Sequence, residues 1–136
     1  MNAQTPPKTV SLVEDEPLVR ERLRRMIDGS RDFTLLRAYS SGAAAVSDLP
    51  LHRPDLLITD LGMPNMRGEE VIARVKATLP DLPIVAYTVF EDEDSILGAI
   101  RAGANGYILK DTPEQLILAE LQVVLLGGST LTPRIA

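Results

Sequence analysis

The sequence has no cysteine and a single histidine among 136 residues. Without cysteine, disulfides, thiol nucleophiles and thiolate metal sites are excluded. No apolar run approaches the roughly 18 residues that span a bilayer, so the chain is not expected to cross a membrane. A surplus of positive charge is also lacking. The formal net charge is −5, which argues against nucleic-acid binding by this segment, because neutralising phosphates takes an excess of Lys and Arg. The start, MNAQTPPKTV, lacks the charged-then-apolar pattern of a signal peptide and reads as a loose tail over residues 1–7. These absences together point to a cytoplasmic protein.

What is present is an ordinary globular composition, 45% hydrophobic and 24% charged, of a length that forms one domain around one core. Five apolar runs alternate with helical patterns. The strands are TVSLV (9–13), FTLLRAY (33–39), LLIT (56–59), PIVAYT (83–88) and GYILK (106–110). Helices are expected over 17–28 with Pro17 in the first turn, from Ser41 as cap to about 49, over 68–78, over 93–102 before Gly103, and from Pro113 to about 126 before Gly127 and Gly128. In RERLRR (20–25), Glu21 and Arg25 are spaced to pair on a solvated helix face, and a docking face for an acidic partner is the alternative. EDED (91–94) suits the N-terminal dipole of its helix. His52 is expected to be exposed and without a role.

Strands alternating with helices imply an α/β fold, (βα)5: a flavodoxin-like, doubly wound parallel sheet with helices on both faces. Ligands of such sheets bind beyond the carboxyl ends of the strands. The first strand ends in Glu14-Asp15-Glu16, the third in Asp60, the fourth in Thr88 and the fifth in Lys110. With strand order 2-1-3-4-5, Asp15 and Asp60 become neighbours. Carboxylates crowded to about 4 Å repel by roughly 4 kcal/mol per pair at an effective dielectric near 20. One remedy is a protonated carboxyl and the other is a shared cation. With no histidine or cysteine nearby, a hard cation with oxygen ligands, Mg²⁺, is the natural match. A carboxylate beside such an ion can attack phosphorus, with a lysine and a hydroxyl steadying the phosphoryl oxygens.

The acidic pair Glu14-Asp15, the run Asp60-Leu61-Gly62-Met63-Pro64 with Gly68 beyond it, Thr88, and Gly-Tyr-Ile-Leu-Lys (106–110) together resemble a bacterial two-component response-regulator receiver domain over roughly residues 8–127. The resemblance implies that Asp60 accepts phosphate from the phosphohistidine of a sensor histidine kinase. It implies that Asp15, helped by Glu14, holds Mg²⁺ with Asp60 and the backbone carbonyl of Gly62. Lys110 would contact the phosphate, and Thr88 would move towards it. Phosphorylation adds charge and acceptor oxygens at one point. Drawing Thr88 inward would drag the segment leading to the fourth helix, and Tyr107 could turn into the vacated space. The surface of helix four, strand five and helix five would report the change.

LKDTPEQL and the ending LLGGSTLTPRIA narrow the resemblance to NarL/FixJ (LuxR-type) regulators. There, such an ending begins a linker, here 128–136, towards a helix-turn-helix DNA-binding domain that these residues do not include; DNA contact is expected only through it. Asp111 replaces a proline often found after the lysine, so a trans peptide is expected. In the last helix, Leu116, Ile117, Ala119, Val123 and Val124 can face the sheet, while Leu118, Leu121 and Leu125 form a second stripe, suited to a homodimer or to the output domain. Val89 could narrow access for small phosphodonors, and Phe90 could shield an acyl phosphate from water. Two other functions stay open: an aspartyl phosphohydrolase, although Gly62 leaves it without the usual general acid, and an interaction module that needs no phosphate.

Overall fold

The computed structural model describes residues 6–128 and 130–131. The strands β1 (Lys8–Val13), β2 (Phe33–Tyr39), β3 (Leu56–Thr59), β4 (Ile84–Thr88) and β5 (Gly106–Leu109) alternate with the helices α1 (Pro17–Asp28), α2 (Gly42–Asp48), α3 (Gly68–Thr78), α4 (Glu93–Ala102) and α5 (Glu114–Leu125). All pairings are parallel, in the expected order, and a sixth short strand, β6 (Thr130–Leu131), extends the sheet to β2-β1-β3-β4-β5-β6. A strand was not expected in the ending. After α5 the chain turns back through Gly127, whose φ of 89° is left-handed, and Thr130 and Leu131 align with Gly106 and Tyr107. The open edge of β5 offers unpaired backbone groups, and even a short polar segment satisfies some of them. Residues 1–5, 129 and 132–136, which hold most of the expected tail and linker, lie outside the described residues.

Period-two alternation along the strands builds two cores. Val13, Leu57, Ile84, Ala86, Tyr107 and Leu109 point to the face covered by α2, α3 and α4. Val10, Leu12, Leu56, Ile58, Val85, Tyr87 and Ile108 point to the face covered by α1 and α5. Because both faces are covered, the central strands are apolar throughout rather than alternating. The helix signals hold locally. Pro17 opens α1, the Ser41 hydroxyl accepts from the Ala44 N–H at 3.2 Å, and Asp92 accepts from the Ser95 N–H at 2.9 Å. Glu21 pairs with Arg25 at 3.2 Å as the spacing implies, and with Arg24 at 3.6 Å. Every peptide bond among the described residues is trans, that after Lys110 included.

Two expectations are corrected. On α5 the residues facing the sheet are Ile117, Leu121 and Val124, while Leu118 and Leu125 are half-buried against the same core. Leu116, Ala119 and Val123 are exposed. An almost uniformly apolar helix carries no contrast by which its rotation can be read, and the i, i+4, i+7 set that reaches the strands is settled by packing. His52 is not free: its Nδ1 lies 3.0 Å from Asp48 Oδ1. Asp48 is a hub, accepting the Tyr39 hydroxyl at 2.6 Å and lying 3.5 Å from Arg37, so it ties the end of β2 to α2.

Gly68 matters through proximity. A Cβ there would collide with the Asp60 carbonyl oxygen and stand 2.6 Å from the Leu61 Cα. α3 therefore begins directly against the turn that follows β3, and the Gly68 N–H donates to the Leu61 carbonyl at 3.1 Å.

Both arrangements can be tested. Gly68→Ala must push backbone against backbone, and we expect a loss of about 3 kcal/mol in urea unfolding; an unchanged midpoint would contradict the close approach. The Tyr39 hydroxyl, outweighing slight burial and aided by His52 and Arg37, holds the Asp48 carboxyl below its ordinary 3.8. A depressed folded pKa gives stability that is present above the unfolded value and lost as pH falls through the folded one. Thermal melts should show wild type above Asp48→Asn at neutral pH, with the gap closing as pH falls below 3.8.

Candidate functional site

The site lies at the carboxyl end of β1, β3, β4 and β5. β1 hands over to α1 within three residues, Glu14 to Glu16, and this short turn is anchored at several points. The Glu14 N–H donates to the Tyr39 carbonyl at 3.0 Å, and the Glu16 N–H donates to Glu14 Oε2 at 3.2 Å. The Arg20 guanidinium donates to the carbonyls of Glu14 and Asp15 at 2.9 and 3.3 Å. Arg20 is thus part of the site's scaffold, a role hidden in the sequence inside the basic cluster 20–25. Its position one turn into α1 was the available signal.

Asp60 follows the last residue of β3. Its N–H donates to the Val13 carbonyl at 2.9 Å, and its Oδ1 accepts the Leu61 N–H at 2.9 Å. The adjacent parallel strands β1 and β3 therefore bring Glu14, Asp15 and Asp60 together, each offering a carboxylate oxygen within 4.8 Å of the others. Glu14 is 1% exposed and Asp60 7%. Lys110, just beyond β5, reaches back across the sheet end so that its Nζ lies 2.9 Å from Glu14 Oε1 and 3.4 Å from Asp60 Oδ1.

These distances set the electrostatics. Burial pushes the Glu14 carboxyl up from its ordinary value, and the Asp60 charge adds to the rise against the opposing pull of Lys110. Burial alone would lower the Lys110 ammonium, but Glu14 and Asp60 outweigh it, and the net direction is up. One ammonium thus compensates three carboxylates incompletely. The hard oxygen donors of Glu14, Asp15 and Asp60 fit a hard divalent cation, with Asp15 the more accessible of the three. The expected backbone ligand, Gly62, is exposed in the loop two residues past Asp60.

Thr88 and Tyr107 belong to a second group, joined through a residue expected only to shield. Thr88 is fully buried, and its hydroxyl accepts the Phe90 N–H at 3.2 Å. The Phe90 carbonyl accepts the Tyr107 hydroxyl at 2.9 Å. The Phe90 ring lies over the loop after Asp60, 3.2 Å from where a Cβ on Gly62 would stand. Tyr107 already points inward in this structure. Burial, with the charges of Asp92 and Glu69, pushes its hydroxyl up to about 12, so it stays a donor. Val89 is exposed on the rim, lining a cleft of about 120 Å³ with Lys110 and Asp111.

Comparison with known proteins agrees with this arrangement. A family model described as the response regulator receiver domain matches residues 10–122. Over 109 residues the chain is 38% identical to the uncharacterized transcriptional regulatory protein YxjL of Bacillus subtilis, covering 79% of this chain and 50% of that protein. Over 134 residues it is 31% identical to the nitrate/nitrite response regulator protein NarL of Escherichia coli, covering 96% of this chain and 62% of that one. The chain thus spans between half and two thirds of the length of these curated relatives. A LuxR-family two-component response regulator from Aurantimonas superposes with a TM-score of 0.91 at 25% identity, covering 96% of this chain and 93% of that one. An acidic cluster crossed by a lysine at the carboxyl edge of a β2-β1-β3-β4-β5 sheet, matched over most of its length by that model and those relatives, makes this chain a member of the response regulator receiver domain family, of the NarL/LuxR type.

Proposed function

We propose that Asp60 is the phosphoacceptor and that the chain receives a phosphoryl group from the phosphohistidine of a sensor histidine kinase. One observation carries the reading. Lys110 stands within ion-pair distance of both Glu14 and Asp60, so the position where phosphate would form already has its cation in place. In the transfer an Asp60 carboxylate oxygen attacks phosphorus and the P–N bond breaks. The electron pair returns to the imidazole, which takes a proton, and the carboxylate becomes an acyl phosphate. Glu14, Asp15, Asp60 and the Gly62 carbonyl would hold Mg²⁺. When bound, it supplies Lewis-acid neutralisation of the phosphoryl oxygens.

The residues of the chain do the rest. Lys110 moves its ammonium from the bare carboxylates onto a phosphoryl oxygen. Thr88 already accepts from Phe90 N–H, which leaves its own O–H to donate to another oxygen. Meeting the phosphate would pull Thr88 away from Phe90 and unsettle the acceptor of the Tyr107 hydroxyl. The segment into α4 shifts in response, so the surface of α4, β5 and α5 would report phosphorylation. Leu97 and Ile100 of α4 and Leu116 and Val123 of α5 are exposed there and on α5's outer side. They support association with a second copy or with an output domain.

The domain division follows from the same reading: residues 8–127 as the receiver, with the ending leading towards a DNA-binding output domain. YxjL and NarL are named as regulators and are longer than this chain. The chain would act as a switch in the cytoplasm, losing its phosphate slowly, and not as a turnover enzyme.

Two measurements test this. Intact-mass analysis after acetyl phosphate with Mg²⁺ should show one phosphoryl adduct on wild type and none on Asp60→Ala or without magnesium. An adduct persisting on Asp60→Ala would move the acceptor elsewhere. If the Phe90 ring over Gly62 keeps water from the acyl phosphate, Phe90→Ala should shorten the adduct's lifetime by about tenfold, the scale of one lost positioning or exclusion effect. An unchanged decay rate would remove Phe90 from that role.

A further inference from the structure

Lys110 is the first residue beyond β5, and the chain turns immediately through Asp111 and Thr112 into α5. Its N–H donates to the Thr88 carbonyl at 2.8 Å, the last rung between β4 and β5. No proline follows to stiffen the turn, and a lysine side chain brings about 2 kcal/mol of rotamer entropy that must be suppressed to hold one geometry. Its ion pairs with Glu14 and Asp60 hold the ammonium from one side, and Lys110 is supported from the other as well.

Tyr87 gives this support at two points. It precedes Thr88 on β4 and points to the other face of the sheet, buried in the core shared with Leu23, Met26 and Ile117. Its hydroxyl donates to the Lys110 carbonyl at 3.3 Å, and its ring centroid lies 5.8 Å from the Lys110 ammonium, within cation–π range. Burial pushes the Tyr87 hydroxyl up, so it remains a donor. Glu14, Tyr87 and Lys110 occupy positions of one parity on β1, β4 and β5, and one sheet face therefore carries both the lysine and its support. Tyr87 also lines a groove of about 240 Å³, together with Arg22, Lys110 and Pro113. The hydroxyl also interacts with the Arg22 side chain, from which it accepts while it donates to the Lys110 carbonyl.

We propose that Tyr87 is a positioning residue for Lys110, its hydroxyl and ring fixing where the ammonium stands against Asp60 and Glu14. The inference rests on the reading of Asp60 as phosphoacceptor. It assigns Tyr87 no contact with phosphate, only control over a group that makes one.

The test is the rate of Asp60 phosphorylation by acetyl phosphate with Mg²⁺, followed by intact mass in this chain, with a thermal melt of each variant. Tyr87→Phe keeps the ring and loses the hydroxyl, and should slow the reaction about threefold; Tyr87→Leu loses both and should slow it about tenfold. In a Lys110→Ala background neither substitution should change the rate further, although each should still lower the melting temperature as it does in wild type. A role in packing alone would slow both backgrounds equally or neither, and either result overturns the proposal. Should Tyr87→Leu fail to fold, the near-isosteric Phe variant decides by the same comparison. A wild-type chain that forms no Asp60-dependent adduct would sink the phosphoacceptor reading instead; a phosphorylated wild type with unaffected Tyr87 variants would sink only this one.

Discussion

Everything at this edge of the sheet depends on one under-compensated charge cluster. Three carboxylates converge where β1 and β3 end, and one ammonium lies 2.9 Å from Glu14 and 3.4 Å from Asp60. Removing either side of a buried ion pair leaves the other side desolvated and unpaired, which is far more costly than the pair's net worth. The fold tolerates the cluster because parallel strands all end on one side, where the next helices begin and backbone N–H groups are unspent. Asp60 takes one from Leu61, and Glu14 takes one from Glu16. Arg20 then ties down the carbonyls of the same acidic turn. The residual negative charge is what a hard cation would answer; burial first, and the Asp60 charge after it, raise the Glu14 pKa against the pull of Lys110.

A second constraint is geometric. The path from the cluster to the α4 side runs through backbone as well as side chains: Thr88 hydroxyl, Phe90 N–H, Phe90 carbonyl, Tyr107 hydroxyl. The first bond is local, between residues two apart, and the second crosses to β5, so a displacement of Thr88 and Phe90 reaches Tyr107. A switch of this kind needs two arrangements close in energy, one of which phosphate binds better. Tyr107 is buried in this structure with its hydroxyl on the Phe90 carbonyl, so the inward position has a ready partner.

Much of this was legible in the sequence because it follows from order along the chain. Strand-helix alternation implies a parallel sheet whose strands all end on one side; with the order 2-1-3-4-5, Asp15 and Asp60 become neighbours, and the family resemblance adds Lys110. Period and chain order carry no information on rotation of a uniformly apolar helix, which is why Leu121 was placed on the wrong side of α5 and Leu116 and Val123 on the wrong one in turn. Nor do they reveal partners that depend on exact reach. His52 on Asp48 and Arg20 on the acidic turn are local contacts, four to six residues apart, that depend on side-chain reach, whereas Phe90 meets Tyr107 only through the fold. β6 escaped for a different reason. Two residues have no periodicity, and they pair because β5 presents an edge and not because they prefer to be a strand.

The same alternation that builds the two cores also divides the labour on β4. Tyr87 and Thr88 are consecutive, so their side chains leave opposite faces of the sheet. Tyr87 lies with α1 and α5 and touches Lys110, the group that would meet the phosphate. Thr88 lies with α3 and α4 and touches Phe90, the start of the path to Tyr107. A shift of the β4 end would act on both sides, because the Thr88 carbonyl accepts the Lys110 N–H at 2.8 Å and the Tyr87 hydroxyl donates to the Lys110 carbonyl at 3.3 Å. It follows that holding Lys110 and releasing Phe90 are not independent events. A strand with one polar face could not serve both, whereas a strand buried on two faces can, and the two-sided burial required by a parallel sheet is what makes the arrangement possible.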